Sequence, residues 1–498
     1  MTIDLPADWP ILVVAALLVI GVLAGGLAHR MQVPGLVLFL VLGMVIGSDG
    51  LGLISFDDPN LAVVGGTVAL ILILYEGGLT TRPGDLRRAA APGVVLATFG
   101  VVLTALILGL GTYLLLDVDI LTALLIAAVV ASTDASAVFT VLRRSPLPRR
   151  LRAVLEVESG SNDPMAIMLT IGLLETWRAQ ATVGPADWAV FAVLQLGGGL
   201  LVGALFGFVG SRALSRINLG PAGAYVVLAL GLAGLSYGSA ATVGASGFLA
   251  VYVTGLFVGA RVPLHRRGIR TFHEGLANTA EVGLFLMLGL LVFPSDLPRV
   301  IVPGLAVALV LTLIARPLAV LACLAWFRQP WQDLTLVSWA GLRGAVPIVL
   351  ATFPFAAGYP QGDLIFDMVF FVVLLSALVQ GGSIGLVAKW LDLRAEGRAW
   401  APAAQAVPIS DINAELIEVR ITDDLHLAGQ QLKDINPPRG LITSIIRGGR
   451  VLLPTARTRL RNGDLVIFAA PRHPEATRHI AAWARGAPTT PVEGNGGN

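Results

Sequence analysis

The chain has little charge, one cysteine and few histidines, and each shortage excludes a class of protein. Only 13% of its 498 residues are charged, whereas soluble proteins carry roughly 25%. The single cysteine, Cys323, excludes an internal disulfide and a cysteine-based metal cluster. With 6 histidines we expect no zinc, haem or other cofactor, and the lack of a GxGxxG dinucleotide fingerprint gives no support for NAD. The net charge of +2 gives no support for nucleic-acid binding.

Long apolar runs take the place of the missing charge. Hydrophobic residues make up 55% of the chain, and runs of about 17–25 residues, long enough to cross the hydrocarbon core of a bilayer, recur as far as residue 392. The first run has no basic region before it and no convincing cleavage site after it, so we expect it to be retained. The sequence thus predicts a polytopic α-helical membrane protein with about thirteen spans. They lie near residues 10–28, 33–52, 61–79, 92–116, 120–142, 153–174, 187–211, 222–238, 241–261, 271–293, 299–327, 333–354 and 365–391.

Basic residues are concentrated in alternate loops between these runs. One such loop carries Arg82, Arg87 and Arg88, and a later one lies within residues 143–152. The intervening loops are acidic or neutral, as around Asp117. Because basic loops stay on the cytoplasmic side, the pattern predicts a multi-pass protein of the bacterial inner membrane, with a periplasmic N-terminus and a cytoplasmic C-terminus.

The composition changes at residue 392, the predicted end of a transmembrane domain that covers residues 1–392. Residues 393–410 are rich in Ala and Pro and are predicted to be a linker. Residues 411–485 have patterns typical of a small soluble α+β domain, and residues 486–498 are predicted to be a disordered tail. Within the domain, the patterns predict strands near 415–421, 440–446, 450–453 and 465–470, and helices near 427–435 and from Pro474.

The sixth run contains the polar stretch ESGSNDP, residues 158–164. Ionisable groups inside a bilayer are costly, so each one indicates a function. Glu158 and Asn162 are four residues apart and share a helix face. The same spacing separates Ser159 from Asp163, which falls near the middle of the span. A carboxylate there can bind a proton or a hard monovalent cation in turn, as exchange requires. The alternative is a polar patch that only holds helices together.

Two other runs are interrupted near their centres. The fifth contains Ser132-Thr133-Asp134, whose side chains compete with backbone hydrogen bonds. The twelfth contains GLRGAVP, residues 341–347, in which glycine and proline weaken a helix. If runs 1–6 and 8–13 are inverted halves, these two breaks correspond. Broken helices at corresponding places mark the midplane site of a transporter.

Several further charges lie inside the apolar runs. Arg316 and Arg343 require counter-charges, and Glu158 and Asp134 are available. Pairing of Arg316 with Glu158 is preferred, but the spacing alone does not choose between the two arginines. Glu76 in the third run and Glu281 in the tenth fit a structural polar pair or a functional role equally well.

These motifs together resemble those of a known family. STDASAVF, ESGSNDP and GLRGAVP, with the Tyr-Glu-Gly-Gly of the third run and the Arg-Pro of the eleventh, resemble the bacterial monovalent cation:proton antiporters of the sodium/proton exchanger superfamily. Within that family, the chain looks most like the potassium/proton antiporters that carry a C-terminal TrkA-C (RCK-C) regulatory module. The resemblance covers residues 10–390 and 411–485.

The resemblance assigns roles to individual residues. It implies that Asp163 is the ion- and proton-binding carboxylate and that Asn162 marks the branch with a single central acid. Thr133 and Asp134 would form the unwound crossing. Ser159 would be an ion ligand, and an arginine would neutralise Glu158.

The resemblance also implies a homodimer, alternating access by an elevator-like movement of a core domain, and electroneutral exchange. Two positions depart from the family pattern. Ala135 stands where proline is frequent. Glu281 is an acid where a neutral polar residue is expected, which puts the charge balance of the tenth run in doubt.

Three other functions can be compared with these expectations. A sodium/proton antiporter remains open because Asp and Thr oxygens bind either cation, and the argument for potassium rests on the attached module. A potassium channel would need a TVGYG-type filter, which the sequence lacks. An intramembrane protease is suggested by Gly244-Ala245-Ser246-Gly247, but small residues there favour close helix packing and we expect no enzyme.

In the C-terminal domain, Arg439, Arg447 and Arg450 could hold a small anionic ligand or form a solvated basic face.

Overall fold

The fold comes from a computed structural model of the chain. It describes residues 12, 15–23, 25, 35–54, 56, 58–81, 91–134, 138, 147–179, 184–262, 266–393, 404–408, 414–423, 425–435, 441–447, 450–471, 480 and 483–484. The chain divides into two compact units, Met1–Ala395 and Glu396–Asn498.

The described part of the first unit is helical, and each predicted run contains helical residues, the first being described only in part. Within the described residues, six helices are long and apolar enough to cross a membrane: Pro59–Thr80, Ala91–Leu115, Ala186–Arg216, Ala222–Thr242, Leu297–Phe327 and Gly362–Trp390. The α-helices are α1 Gly35–Ile46, α2 Pro59–Thr80, α3 Val101–Leu115, α4 Ile120–Val130, α5 Arg149–Ala179, α6 Pro185–Arg216, α7 Ala222–Thr242, α8 Gly247–Arg261, α9 Arg266–Leu290, α10 Leu297–Val310, α11 Arg316–Leu324, α12 Trp331–Trp339, α13 Ala345–Ala356, α14 Gly362–Ser376 and α15 Gly382–Trp390. Three π turns, Leu96–Gly100, Leu311–Ala315 and Ala377–Gly381, join or precede them.

Local sequence explains where several of these helices begin. The Asp58 carboxylate accepts hydrogen bonds from the N–H groups of Asn60 and Leu61, and proline opens the helix that follows. Asp119 caps α4 in the same way. Ser246 caps α8 by accepting from the Leu249 N–H at 3.3 Å. Each cap satisfies N–H groups that have no partner within the helix.

Small residues allow α2 and α8 to pack closely. A Cβ on Gly255 would lie 2.5 Å from the Tyr75 carbonyl oxygen, and one on Gly78 would overlap the Tyr252 carbonyl oxygen. Glycine at these contacts lets the two backbones approach, as in many membrane helix pairs. Ser246, in the stretch that suggested a protease, likewise precedes a packed helix, and its hydroxyl caps that helix.

The described part of the second unit contains one antiparallel sheet. Its strands are β1 Ala404–Pro408, β2 Ala414–Arg420, β3 Leu441–Arg447, β4 Arg450–Leu452 and β5 Leu465–Pro471, in the spatial order β1-β2-β5-β3-β4. Ile417 and Val419 alternate with more exposed residues along β2 and bury one face of the sheet with Phe468. This alternation is the period of two that predicted the strands.

Two predictions for this unit need correction. Strand β1 lies within residues 393–410, the predicted linker, and pairs with β2 along its whole length. Residues 427–435 form turns and a short 3-10 segment, Leu432–Asp434, in place of the predicted helix. Polar backbone bonds to the neighbouring loop, such as Leu432 N–H to the Thr458 carbonyl at 3.0 Å, outweigh the local helical preference. Most of the predicted helix from Pro474 and the whole 486–498 tail lie outside the described residues.

Candidate functional site

The two interrupted helices meet at their breaks. Helix α4 ends at Val130, and residues 132–134 continue without helical structure. Residues 340–344 separate α12 from α13. The Asp134 N–H donates a hydrogen bond to the Leu342 carbonyl at 2.8 Å, so the backbone of one break is bonded to the backbone of the other.

A cavity of about 160 Å³ lies beside this crossing. That volume holds a cation together with several water molecules, since one water needs about 10–15 Å³ measured in the same way. Four carboxylate residues from four different segments line it: Glu76, Asp134, Asp163 and Glu281. Hydroxyl residues complete the polar part of the wall, namely Ser132, Thr133, Ser159 and Tyr252. The cavity therefore offers oxygen atoms, the ligands that hard cations prefer.

Asp163 belongs to α5, and it forms part of the wall of the cavity. Its side chain is 91% removed from solvent, since its exposed fraction is 9%. Ser159, one turn earlier, lines the same cavity, as the i,i+4 spacing requires. Gly160 lies against Tyr252, and a Cβ there would be 2.5 Å from the tyrosine hydroxyl oxygen. The glycine thus permits α8 to bring Tyr252 to the cavity.

Asn162 is not among the residues that line the cavity, and its side chain bonds to the first break. Its amide donates to the Thr133 hydroxyl at 2.6 Å and to the Thr133 carbonyl at 3.4 Å. The Thr133 hydroxyl donates in turn to the Glu158 carboxylate at 3.4 Å. Asn162 and Glu158 therefore hold the non-helical segment that contains Thr133 against α5.

Glu158 is paired with Arg316. The guanidinium Nη2 of Arg316 lies 2.6 Å from Glu158 Oε1, and both side chains are at least 98% buried. Arg316 follows the π turn Leu311–Ala315, and Pro317 after it has no N–H to donate to the helix. Arg316 also donates to the Val337 carbonyl at 3.4 Å, near the end of α12.

Arg343 lies within the second break and bonds to it. Its Nη1 donates to the Gly341 carbonyl at 2.9 Å, and its side chain is 99% buried. A Cβ on Gly341 would come within 3.0 Å of Arg316 Nε and 3.3 Å of Arg343 Nη1. Glycine at this position lets both guanidinium groups approach the chain.

The first turn of α13 closes the cavity beside Asp134. Its residues Ala345, Val346 and Pro347 line the cavity, and a Cβ on Gly344 would overlap the Asp134 carboxylate. The start of a helix carries unpaired N–H groups and a partial positive charge, which favour a nearby anion. The second break thus aims a helix N-terminus at the Asp134 carboxylate.

Three polar residues of this region were missed by the sequence analysis. Tyr252 lines the cavity. Ser376 and Gln380 bond to the second break, as described below. A signal for the last two was present, because they lie four residues apart within the apolar run 365–391.

The arginines of the second unit are only partly described. Arg447 forms a two-bond salt bridge with Asp464, at 2.8 Å for each bond, and also donates to the Arg459 carbonyl. Burial by itself would raise the pKa of Asp464, but the bonds from Arg447 and from the Arg461 N–H lower it below its usual range. Arg447 is therefore used within the domain, which weakens its assignment to an anion site. Arg439 and the side chain of Arg450 lie outside the described residues.

Two families match the chain by sequence. The family described as "Sodium/hydrogen exchanger, transmembrane" matches residues 13–390, and the TrkA-C domain matches residues 416–478. The K(+)/H(+) antiporter NhaP of Alkalimonas amylolytica is 38% identical over 490 residues, covering 95% of this chain and 83% of that protein. The K(+)/H(+) antiporter NhaP2 of Shewanella sp. (strain MR-4) is 37% identical over 459 residues, covering 91% and 80%.

A solved structure shares the fold. The sodium proton antiporter MjNhaP1 of Methanocaldococcus jannaschii superposes with a TM-score of 0.69 at 26% sequence identity, covering 76% of this chain and 98% of that one. The likeness, with the crossing breaks described above, confirms the predicted polytopic helical fold with two broken helices.

Proposed function

Because this chain belongs to the sodium/hydrogen exchanger family, we propose that it exchanges potassium for protons across the bacterial inner membrane and has no enzymatic activity. The observation that carries this proposal is the buried Asp163 carboxylate in the oxygen-lined cavity at the crossing of the breaks. Potassium is preferred to sodium because the relatives at 37–38% identity are named K(+)/H(+) antiporters. The relative named Na(+)/H(+) antiporter 1 is 29% identical over 346 residues.

Exchange follows from one carboxylate that holds either of two cations. In one state Asp163 binds a proton, and in the other its oxygens, with those of Ser159 and Thr133, bind a potassium ion. Movement of the helices that carry the site then exposes it to the other side of the membrane. A ligand can drive this movement only through its different affinity for the two states.

The other residues of the crossing support this site. Asn162 holds the Thr133 segment in place, and Glu158 with Arg316 balances charge beside it. Asp134 is stabilised by the start of α13. The functional unit is a homodimer in which a core domain moves against the fixed interface. Cross-linking in native membranes tests this assignment, and a single monomer band would contradict it.

The proposal makes a linked prediction about selectivity and charge movement. In proteoliposomes, potassium should drive proton flux at lower concentrations than sodium. One central carboxylate exchanges one proton for one monovalent cation, so net flux should not change when the membrane potential is clamped at different values. The fluorescence of a proton-sensitive dye measures both properties. It is recorded in vesicles without valinomycin and in vesicles whose membrane potential is clamped.

Two results would contradict these expectations. Sodium activation at lower concentrations than potassium would make the protein a sodium/proton antiporter. A dependence on potential would require a second titrating group, and Glu281 is the first to test because it lines the same cavity. In that case Glu281→Gln should make the flux independent of potential. The matched variant Glu156→Gln should not, because Glu156 pairs with Arg152 outside the cavity.

The second unit is proposed to regulate exchange from the cytoplasm, in line with the arginine pattern of the loops. Deleting residues 396–498 removes it together with β1, which belongs to its sheet. The deletion should retain exchange but change the half-activating cation concentration, or the pH profile, by about fivefold or more, the usual size of coupling between two sites. Flux in proteoliposomes is the measurement, with the full chain as reference. Unchanged kinetics would remove the regulatory role, and loss of all flux in a folded protein would make the unit part of the transport machine.

A further inference from the structure

Two polar side chains of the last membrane helix lie against the second break. Ser376 ends α14, and Gln380 lies in the π turn Ala377–Gly381 that follows it. Both side chains are buried, with exposed fractions of 7% and 5%. Buried polar groups are stable only when their hydrogen bonds are made, so their partners show what the pair does.

The pair forms a continuous chain of hydrogen bonds across the break. The Arg343 N–H donates to the Ser376 hydroxyl at 3.3 Å. That hydroxyl donates to Gln380 Oε1 at 2.5 Å. The Gln380 amide then donates to the Trp339 carbonyl at 3.3 Å. We refer to this chain as the Ser376–Gln380 relay.

The two ends of the relay are the partners of one missing helix bond. In a continuous α-helix the N–H of residue i donates to the carbonyl of residue i−4, so Arg343 would donate to Trp339. The break at residues 340–344 removes that bond. The relay supplies the lost acceptor to Arg343 and the lost donor to Trp339, and it spans the gap with two side chains from another helix.

Neighbouring carbonyls in the break and at the end of α12 are also used. Gly341 accepts from the Arg343 guanidinium, Leu342 accepts from the Asp134 N–H and Val337 accepts from Arg316. The relay is therefore the part of this network that joins the end of α12 to the residues before α13.

We propose that the Ser376–Gln380 relay is a positioning element for cation exchange: it sets the width of the second break and thereby the placement of the first turn of α13 against Asp134 and the cavity. This inference rests on the proposed function. Ser376 and Gln380 do not line the cavity, so they act through the break and not as ion ligands. A π turn at this place fits such a role, because these turns often lie at functional sites.

The test compares variants of the relay with a matched control on the same helix. Ser376→Ala and Gln380→Leu each remove the bridge, and Gln380→Glu retains it when the introduced carboxyl is protonated, since that group both accepts and donates. Ser383→Ala is the control, because Ser383 accepts from the Trp339 indole at 3.0 Å and donates to the Val379 and Gln380 carbonyls, so it contacts the same residues without forming part of the bridge between the Arg343 N–H and the Trp339 carbonyl. All four variants and the wild-type full chain are assayed for potassium-dependent proton flux in proteoliposomes.

Removal of the relay should weaken cation binding more than it slows turnover. Ser376→Ala and Gln380→Leu should raise the half-activating potassium concentration about tenfold, the effect of one buried hydrogen bond lost from a binding arrangement, with maximal rates near wild type. Gln380→Glu should lie closer to wild type than Gln380→Leu, and Ser383→Ala should match wild type. A protein that was only less well folded would lose maximal rate in proportion to its folded fraction, without a change in half-activation.

Several outcomes overturn the inference. Wild-type half-activation in folded Ser376→Ala and Gln380→Leu would refute it, and so would an equal shift in Ser383→Ala. If Gln380→Leu does not fold, wild-type half-activation in Ser376→Ala is sufficient to refute it. Absence of flux in the wild-type chain would instead overturn the proposed function, so the two failures can be told apart.

Discussion

Replacing Asp163 by asparagine should reduce cation-dependent proton flux to the level of protein-free vesicles. Asparagine has nearly the same shape, so the packing of α5 should be retained, but it neither takes up a proton nor carries a negative charge. The side chain is 91% buried in the cavity wall, so bulk water cannot take over the role of the missing carboxylate. Flux is measured in proteoliposomes with potassium and, separately, with sodium.

The matched control is Glu156→Gln on the same helix. Glu156 pairs with Arg152 at 2.8 Å in a partly exposed i,i+4 bridge that lies outside the cavity. Exposed pairs of this kind contribute less than about 1 kcal/mol, so flux should remain near wild type. Exchange by Asp163→Asn at the wild-type rate, in protein that elutes as a single folded species, would exclude Asp163 as the site of exchange.

Replacing Glu158 by glutamine should destabilise the protein strongly. Arg316 would be left as a buried charge without its carboxylate partner at 2.6 Å, and removal of one partner from a buried ion pair costs about 3–5 kcal/mol. The hydrogen bond from Thr133 would also be altered, which loosens the first break. Thermal unfolding of the detergent-solubilised protein should therefore begin at a clearly lower temperature than in wild type.

A double-mutant cycle separates the ion pair from general damage to the core. Arg316→Met alone should also destabilise, because it leaves Glu158 unpaired. The double variant Glu158→Gln with Arg316→Met should recover most of the loss, because neither member of the pair is then left as a buried charge without its partner. Additive losses would show that the two residues act independently. A stable Glu158→Gln protein with altered cation selectivity would place Glu158 among the ion ligands.

Much of this molecule was predictable from local patterns. Apolar runs of membrane length and the glycines of 341–347 act through the chain immediately around them. For the same reason Asp163 and Ser159 could be placed on one face from their spacing. Four of the five described strands of the second unit followed from the alternation of buried residues such as Ile417 and Val419.

Other features needed the tertiary structure because they join distant parts of the chain. The sequence left open which arginine meets Glu158, and the fold brings Arg316 to it across 158 positions of chain from another helix. It also left open the roles of Glu76 and Glu281, which come from different helices and line the cavity with Asp163. Residues 404–408 were predicted to be linker. They form strand β1 because they pair with β2, and this pairing is not visible in the local sequence.

The sequence by itself therefore determined the apolar helical character of the first unit, the two breaks and the acidic residue Asp163, because hydropathy, helix periodicity and backbone propensity are local properties. Only the tertiary structure decided which charges pair, which acids share one cavity, and how Ser376 and Gln380 replace the hydrogen bond missing between Arg343 and Trp339. These depend on the distances between side chains on different helices. Such distances are set by packing, and the spacing of residues along the chain does not contain them.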